Sequence, residues 1–311
     1  MEQRHELVII GAGPAGLTAA QYGARANLDV LVIEEMAPGG QALFIERLEN
    51  YPGIVNQISG FELAEAMRTQ AEQFGAAFLS ASVRSVSRQG ADFVVETSEG
   101  TIEAQTLIIA SGAKHRHLGV LGEDAFSGKG VSYCATCDGP FFKGKRIFVV
   151  GGGDTACDEA MYLSKLTDQV IMVHRKDRFR AQKALAARVL ANPRIKVLFD
   201  TTLEEIRGDK KVESVLLKGT VQGDTREESA DAVFVFVGSD PQTGMVPFVD
   251  KDATGSIPVD DHMRTSVPGL FAAGDVRVSP FRQVVTACGD GAIAAHAASQ
   301  YLDEVQGNAY R

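Results

Sequence analysis

LVIIGAGPAGLTAA, residues 7–20, decides the fold, because an apolar run passes through a glycine-rich turn into an alanine-rich segment of helical character. A second apolar run over Asp29–Ile33 follows and ends in Glu34. Strand, glycine-rich turn, helix and strand together form the unit that binds dinucleotides, with the phosphates at the amino end of the helix. The stretch therefore predicts an α/β fold with a nucleotide site at the turn.

The glycines of this turn have separate expected roles. Gly11 permits the tight turn, Gly13 lets the backbone approach a pyrophosphate, and Gly16 lets the helix pack closely on the strand. Glu34 lies 23 residues after Gly11, a spacing at which an acidic side chain can accept a hydrogen bond from a ribose hydroxyl. A solvated strand end is the alternative interpretation of Glu34.

The same unit occurs a second time, beginning at RIFVVGGGDTA, residues 146–156, and continuing through a helix to about Leu166 and a strand over Val170–Val173. This strand ends in the cationic run 174–176 (His-Arg-Lys), with Arg180 four residues further on, instead of in an acid. Cationic side chains accommodate the 2′-phosphate of NADP, whereas an acid selects the free hydroxyl of NAD. The second site is therefore predicted to prefer NADP, with a solvated basic loop as the alternative.

Between the two units lies SYCATCDGP, residues 132–140, in which two residues separate Cys134 from Cys137. Such a pair can alternate between dithiol and disulfide, and nearby dipoles can hold one sulfur as the reactive thiolate. Half of a zinc site in a nucleotide-binding regulatory protein is the alternative. Zinc needs four ligands, and Cys157 and Cys288 do not form a second pair, so we expect redox chemistry and no metal.

The composition is that of an ordinary globular protein, with 311 residues, 45% hydrophobic and 23% charged. This length predicts about two domains. A formal net charge of −9 argues against a nucleic-acid surface. Neither a signal peptide nor an apolar run of roughly 18 residues, the length of a membrane span, is evident. We therefore expect a cytoplasmic protein, with no membrane contact, whose partners are small molecules and other proteins.

Further elements are predicted from periodicity. One amphipathic helix is expected over 61–75, with Leu63, Met67, Ala71 and Phe74 on its apolar face, and a long alanine-rich helix over Gln283–Glu304. Strands are expected over Val83–Val86, Phe93–Glu96, Thr106–Ala110, Lys196–Phe199, Val212–Leu217, Ala232–Val237 and Leu270–Ala273. The last of these ends at Gly274-Asp275, a strand end of the kind where cofactors usually lie.

With these motifs the chain resembles the bacterial-type, low-molecular-weight thioredoxin reductases along nearly its whole length. The matching stretches are GAGPAGLTAA, PGGQ, ENYPG, SYCATCDGP, GGGDTACDEA, HRKDRFRA and GDVRVSPFRQVVTACGDGA. The resemblance implies two Rossmann-like dinucleotide-binding domains, one for FAD and one for NADPH, with the second inserted in the first. The FAD domain is expected over 1–113 plus 243–311, and the NADPH domain, which carries the cysteine pair, over 114–242.

The resemblance also implies the residues of both cofactor sites. FAD is expected to contact Gly11, Gly13, Gly16, Glu34, Gly39, Gly40, Gln41, Asn50, Gly274, Asp275, Arg282, Gln283 and Val284. NADPH is expected to contact Gly151, Gly153, Asp154, Thr155, His174, Arg175, Lys176 and Arg180. Members of the family commonly have arginine at the position of Lys176, and lysine lacks the fork that grips phosphate with two bonds, so a weaker preference for NADPH is expected. Cys157 and Cys288 fall inside cofactor motifs and are expected to be buried fillers.

The implied activity is that of a thioredoxin-disulfide reductase. NADPH reduces FAD, FAD reduces the disulfide of Cys134 and Cys137, and the dithiol reduces a thioredoxin or thioredoxin-like protein through a mixed disulfide. By resemblance, Cys137 is the thiol nearest the flavin, and Asp138 is the candidate general acid for the departing thiolate. The alternative role of Asp138 is a turn residue that caps Gly139-Pro140. A homodimer is also implied.

Related activities remain as alternatives. The flavoprotein subunit of alkyl hydroperoxide reductase normally carries a preceding thioredoxin-like region, and with the first strand at Leu7 we expect none here. A dithiol oxidase, a ferredoxin-fed reductase, or a related flavin-dependent reductase of another thioredoxin-like partner or a small dithiol is also conceivable. The cationic residues between His174 and Arg180 favour a nicotinamide donor.

Replacement of Asp138 by asparagine tests the acid role. We expect Asp138→Asn to slow thioredoxin turnover by roughly 100-fold, because proton transfer by a positioned side chain typically contributes that much or more. Steady-state kcat with thioredoxin measures the effect, and the rate of flavin reduction by NADPH in the same variant is the internal control. Unchanged turnover would remove Asp138 from the mechanism.

Overall fold

The computed structural model describes residues 3–45, 48, 50–56 and 58–308. Glu49 of the stretch ENYPG lies outside the described residues. The chain divides into two compact units, one containing Met1–Lys114 and Asp240–Arg311 and the other His115–Ser239. Both are α/β, and each contains a parallel sheet with a glycine-rich turn, so the predicted fold class of two Rossmann-like units is confirmed.

The first chain segment builds most of the sheet of the first unit. Its helices are α1 (Pro14–Arg25) and α2 (Gly60–Gln73), with a 3-10 turn over Gly40–Phe44. Its strands are β1 (Gln3–Ile10), β2 (Val30–Glu34), β3 (Ala77–Ser80), β4 (Val83–Gln89), β5 (Asp92–Thr97), β6 (Gly100–Ile109) and β7 (Ala113–His115). The main sheet has the order β3-β2-β1-β6-β5-β4. β1, β2, β3 and β6 are parallel, and β4, β5 and β6 are joined antiparallel, as the predicted ribbon requires.

The second unit is formed by the inserted segment. Its helices are α3 (Ala135–Asp138), α4 (Asp154–Leu163) and α5 (Lys183–Ala191). Its strands are β8 (Val131–Ser132), β9 (Ile147–Gly151), β10 (Val170–Val173), β11 (Ile195–Leu198), β12 (Thr201–Gly208), β13 (Val212–Gly219), β14 (Thr225–Ser229) and β15 (Ala232–Phe236). The parallel sheet has the order β11-β10-β9-β15-β8, and a separate antiparallel sheet has the order β12-β13-β14.

The chain then returns to the first unit. The returning elements are β16 (Ser239–Pro241), which pairs with β7, β17 (Leu270–Ala272), a 3-10 turn over Gly274–Val276, and α6 (Val284–Gln306). β17 lies parallel to β6, with Phe271 opposite Ile108, and so enters the main sheet. Within the described part of the chain, no helix is long and apolar enough to cross a membrane.

Local sequence explains where α2 begins and ends. Ser59 accepts the N–H of Glu62 at 3.2 Å, and the Glu62 carboxylate accepts the N–H of Ser59 at 2.7 Å, so both backbone groups at the helix start are satisfied. Leu63 and Met67 are buried as expected. The expectation for Phe74 was wrong: it is 47% exposed because the helix ends before it, and Arg25 lies over its ring.

Helices α1 and α6 touch through their backbones. A Cβ atom added to Gly291 would lie 2.1 Å from the carbonyl oxygen of Ala15 and 3.1 Å from the nitrogen of Ala19. Ala294 and Ala298, further along α6, are completely buried. The alanine-rich composition of α6 thus allows two helices to pack more closely than larger side chains would permit.

The close contact predicts opposite effects for two glycines of one helix. We expect Gly291→Ala to lower the free energy of unfolding by about 1–3 kcal/mol, because the methyl group forces the helices apart. Gly289→Ala is the matched control, since its new methyl meets nothing within 4 Å. The control should stabilise by roughly 0.5–1 kcal/mol through helix propensity. Urea unfolding followed by circular dichroism measures both, and equal midpoints would contradict the contact.

Candidate active site

Cys134 and Cys137 form a disulfide across the first turn of α3, with Cα atoms 5.4 Å apart. Cys134 caps the helix, and its sulfur accepts the N–H of Cys137 at 3.2 Å. Ser132, at the end of β8, fixes the entry to this turn: its hydroxyl accepts the N–H of Cys134 at 3.1 Å and donates to the Cys134 carbonyl at 3.2 Å. After reduction, the N–H of Cys137 stays directed at the Cys134 sulfur and favours its thiolate form.

Asp138 continues the same turn. Its N–H donates to the carbonyl oxygen of Cys134 at 3.1 Å, and its side chain is partly buried. Gly139 follows and packs against α4, where an added Cβ would lie 2.9 Å from Leu163 Cδ2. The carboxyl group one residue beyond Cys137 is therefore carried on a backbone that is fixed from both sides.

The two phenylalanines after this turn have different environments. Phe142 packs edge-on against Phe234 of β15, with ring centroids 6.0 Å apart. Phe141 is 80% exposed. One ring anchors the segment in the core of the second unit, and the other presents an apolar surface to solvent close in sequence to the disulfide.

The glycine turn after β1 has the geometry of a phosphate cradle. Gly11 has φ of +103°, and an added Cβ would lie 2.4 Å from the carbonyl oxygen of Ala110. Gly16 lies against Gly11, with 1.9 Å between its added Cβ and the Gly11 oxygen. At Gly13, by contrast, an added Cβ meets nothing within 4 Å, and no described side chain caps the N–H groups of α1. Open space in front of uncapped N–H groups suits a pyrophosphate.

Glu34 holds this turn in place. Its Oε2 accepts the N–H of Ala12 at 2.7 Å, and its Oε1 accepts the N–H of Met36 at 3.0 Å. A carboxylate has about four acceptor positions, so a ribose hydroxyl can still be accommodated. The expected ribose contact remains a prediction, and the structure adds a second role that the spacing alone did not indicate.

Segments distant in sequence meet at the same turn. Gly39 donates its N–H to the carbonyl of Ala12 at 2.7 Å, and a Cβ added to Gly40 would lie 3.1 Å from the Cα of Gly13. From the returning segment, a Cβ added to Gly274 would lie 2.9 Å from the Cβ of Ala15. Pro38-Gly39-Gly40 and the turn after β17 therefore both reach the start of α1.

Three further expected FAD contacts are fixed by hydrogen bonds within the first unit. Gln41 donates to the carbonyl of Ala113 at 2.8 Å, and Asn50 donates to the side-chain oxygen of Gln283 at 2.8 Å. Gln283 immediately precedes Val284, the first residue of α6. Arg282 lies near Ser256, with 3.4 Å between Nη2 and the serine hydroxyl.

The second glycine turn brings the cationic run to the start of α4. A Cβ added to Gly151, which has φ of +150°, would lie 2.4 Å from the Phe236 carbonyl oxygen. At Gly152 the added Cβ would lie 2.3 Å from Nδ1 of His174, so the ring lies directly on this glycine. Gly152 also accepts the N–H of Arg180 at 2.7 Å, and Gly153 faces open space with only the guanidinium of Arg180 at 3.9 Å.

Asp154 has a clear structural role at this site. Its two oxygens accept the backbone N–H and the side-chain amide of Gln182 at 2.7 and 3.1 Å. This anchors the loop that carries the cations to the first turn of α4. Thr155, Arg175 and Lys176 are exposed.

His174 is held among aromatic rings that sequence reasoning missed. Its ring centroid lies 6.0 Å from that of Phe179 and 6.5 Å from that of Phe199. Burial lowers the pKa of His174, and Arg175 and Arg180 act in the same direction, opposed by the backbone of Arg178. The imidazole is therefore neutral at pH 7, and Arg175, Lys176 and Arg180 carry the positive charge of the site. A paired phosphate would favour the charged imidazole.

Glu159, on α4, is a second group that sequence reasoning missed. Its Oε2 is buried without a hydrogen-bond partner among the described residues. Burial, with a smaller contribution from Asp158, raises the pKa of Glu159 to about 7. The sequence signal was an acid placed next to Ala160, on a helix face of small buried residues. Its neighbour Cys157 is buried, as expected, and burial raises the pKa of its thiol to about 12.

Cys288 is buried too, as expected. Within the described ranges, no group of three or more His, Cys, Asp or Glu side chains is arranged to hold a metal ion. The fold and the site together define a class: a protein with two dinucleotide-binding units, one of which carries a disulfide formed by a Cys-x-x-Cys pair.

Known proteins place this class more narrowly. The model of the pyridine nucleotide-disulphide oxidoreductase family matches residues 5–291. A thioredoxin reductase of Treponema pallidum is 56% identical over 98% of this chain and 100% of its own length. The crystal structure of Lactococcus lactis thioredoxin reductase has a TM-score of 0.94 and 41% identity, over 96% of this chain and 99% of that one. That of T. acidophilum thioredoxin reductase has a TM-score of 0.92 and 36% identity, over 98% and 100%. The chain belongs to the pyridine nucleotide-disulphide oxidoreductase family and, within it, to the thioredoxin reductases.

The raised pKa of Glu159 predicts how stability changes with pH. The folded state holds this proton more tightly than the unfolded chain, so the proton's contribution is present below about pH 4.5 and is lost as pH rises through about 7. We expect Glu159→Gln to gain stability relative to the unmodified protein over this window, by up to about 3 kcal/mol at pH 8. Urea unfolding of both proteins between pH 4.5 and 8 measures it.

Asp158→Asn is the companion variant. Removing this second cause should move the loss of stability to a lower pH without abolishing it. A constant difference between Glu159→Gln and the unmodified protein across the whole range would contradict the raised pKa.

Proposed function

We propose that this protein is an NADPH-dependent, FAD-containing thioredoxin-disulfide reductase. The observation that carries the proposal is the disulfide of Cys134 and Cys137 at the cap of α3, in the same unit as a glycine turn surrounded by cations. The relatives named above, which bear the name thioredoxin reductase over almost the full chain, support it. Bound together, the two cofactors would supply two-electron transfer from nicotinamide to disulfide, chemistry that side chains alone do not carry.

FAD is assigned to the first unit, over residues 1–113 plus 243–311. The support is the open cradle at Gly13, the uncapped start of α1, and Glu34, which has acceptor capacity left for a ribose. Asp275 and Gln283 would face the flavin half. Burial raises the pKa of Asp275, with Asp290 adding to the shift and Arg282 opposing it, which keeps a carboxyl able to donate or accept a hydrogen bond.

NADPH is assigned to the second unit, over residues 114–242. Arg175, Lys176 and Arg180 would bind the 2′-phosphate, and the open space at Gly153 would take the pyrophosphate. Asp154 would act indirectly, by holding Gln182 and with it the end of the cationic loop. The lack of an acid at the end of β10 supports a phosphate-bearing nucleotide.

The reduced pair would act on a protein disulfide. One thiolate attacks a sulfur of the partner, a mixed disulfide forms, and the released partner thiolate takes a proton for which Asp138 is the candidate donor. The second cysteine then attacks the mixed disulfide, which frees the reduced partner and restores the Cys134–Cys137 bond. Exposed Phe141 supports a protein partner over a small dithiol, because an apolar ring at the surface suits a docking contact.

Homodimeric assembly and a cytoplasmic location are part of the proposal. Both rest on the resemblance to the family. Light scattering of the purified protein tests the assembly, and a mass of one chain would remove the dimer from the proposal.

Anaerobic titration tests the activity. We expect NADPH to bleach the flavin absorbance of the purified protein and oxidised thioredoxin to restore it, because the electrons pass on through the cysteine pair. In Cys137→Ser, NADPH should still bleach the flavin while thioredoxin turnover is lost. Cys157→Ala is the matched control, because it removes a buried thiol and should leave turnover unchanged. Bleaching by dithiols but by neither NADPH nor NADH would overturn the proposal in favour of an oxidase or another donor.

The lysine in the cationic run predicts a change in nucleotide preference. Lys176→Arg should raise the ratio of kcat/KM for NADPH over NADH by roughly 3- to 10-fold, because arginine binds phosphate with two parallel bonds. Lys143→Arg, an exposed change beyond the disulfide, is the control. An unchanged ratio would mean that Lys176 does not contact the phosphate.

A further inference from the structure

The turn after β17 carries Asp275, which the proposed function assigns to the flavin half of FAD. Gly274 enters this turn with φ of +77°, a conformation that glycine adopts without strain. The N–H of Arg277 closes the turn on the carbonyl of Gly274 at 3.2 Å. A turn of this length has little packing of its own, so its position depends on what its two ends bind.

Both ends are bound by one carboxylate. Asp290, on α6, accepts the N–H of Gly274 at 3.1 Å through Oδ2. The same Asp290 receives the guanidinium of Arg277 as a fork, with Nε 2.6 Å from Oδ2 and Nη2 2.6 Å from Oδ1. Arg277 also donates from Nη1 to the carbonyl of Val278 at 2.8 Å. Side-chain exposure is 8% for Asp290 and 15% for Arg277, so the pair is nearly dry.

We infer that Asp290 and Arg277 are positioning residues for flavin binding, which hold the Gly274–Val276 turn and the start of α6 in one geometry. The inference rests on the proposed function, because it presupposes that FAD binds the first unit. Burying an ion pair is a poor way to stabilise a fold, since apolar side chains of similar size serve as well or better. What a two-bonded, buried pair does supply is a fixed direction.

The charge of Asp290 also acts on Asp275. Burial is the main reason that the pKa of Asp275 is raised, and Asp290 adds to it while Arg282 opposes it. Asp290 therefore affects both where Asp275 lies and how readily it holds a proton.

The adenosine half of the site is held by other groups. Glu34 fixes Ala12 and Met36 by hydrogen bonds, and Gly39 is fixed on Ala12. A defect at Asp290 should therefore weaken binding of the whole cofactor while leaving binding of its adenosine diphosphate part intact.

The experiment compares FAD and ADP on flavin-free protein. Asp290→Asn should raise the Kd for FAD by about tenfold or more, the scale typical of residues that orient binding groups. Its Kd for ADP should change by less than about twofold, as for independent sites. Arg277→Lys keeps the charge but loses the fork, and should show the same pattern to a smaller extent. Flavin fluorescence gives the FAD value, and calorimetry gives the ADP value.

Asp92→Asn is the matched control. Asp92 forms an ion pair with Arg4 in the same unit, but at the surface, and its loss should change neither affinity. The visible spectrum of bound FAD adds a readout of flavin environment, which should shift in Asp290→Asn and stay unchanged in the control.

Three outcomes would overturn the inference or its basis. Equal weakening of FAD and ADP would show that the pair only stabilises the unit, and unchanged FAD binding in both variants would show that the turn does not need it. Should Asp290→Asn be insoluble, Arg277→Lys decides between these results. Failure of the unmodified flavin-free protein to bind FAD would instead refute the proposed function.

Discussion

Both units depend on one steric constraint, the contact of a side-chain-free residue with the end of a neighbouring strand. Gly11 lies against the carbonyl of Ala110, just beyond β6, and Gly151 lies against the carbonyl of Phe236, the last residue of β15. In each case the strand order brings these two chain ends together, because β1 pairs with β6 and β9 pairs with β15. Any Cβ would separate the turn from the sheet, and the helix that follows would lose both its position and the direction of its N–H groups.

On this common frame the two units differ in how the next strand ends. Glu34 in the first unit bonds to Ala12 and so belongs to the glycine turn itself. In the second unit His174 takes the equivalent place, but it contacts its turn by packing on Gly152. A carboxylate bonded to backbone and an imidazole stacked on backbone are two ways to couple the strand end to the turn, and each leaves a different charge beside the nucleotide.

Local patterns carried most of what could be predicted from the sequence. The glycine turns, the acidic and cationic strand ends, and the spacing of Cys134 and Cys137 act within a few residues, so they are readable without a structure. Contacts across long separations were not readable: the Asp290 fork, the aromatic rings around His174, and the unpartnered oxygen of Glu159 arise only after folding. β14 was missed for a related reason, because TREES has no apolar alternation and is held partly by ion pairs such as that of Arg207 with Glu227.

The burial of Cys157 and Cys288 bears on how such a protein survives its own chemistry. A thiol is oxidised by peroxides to sulfenic and then to irreversible acids in proportion to its thiolate character and its exposure. Cys157 has neither, and Cys288 is enclosed between α6 and the core. Oxidative damage is thus confined to a pair that can close on itself as a disulfide, so a pulse of oxidant converts the protein to a resting state that its own reductant reverses.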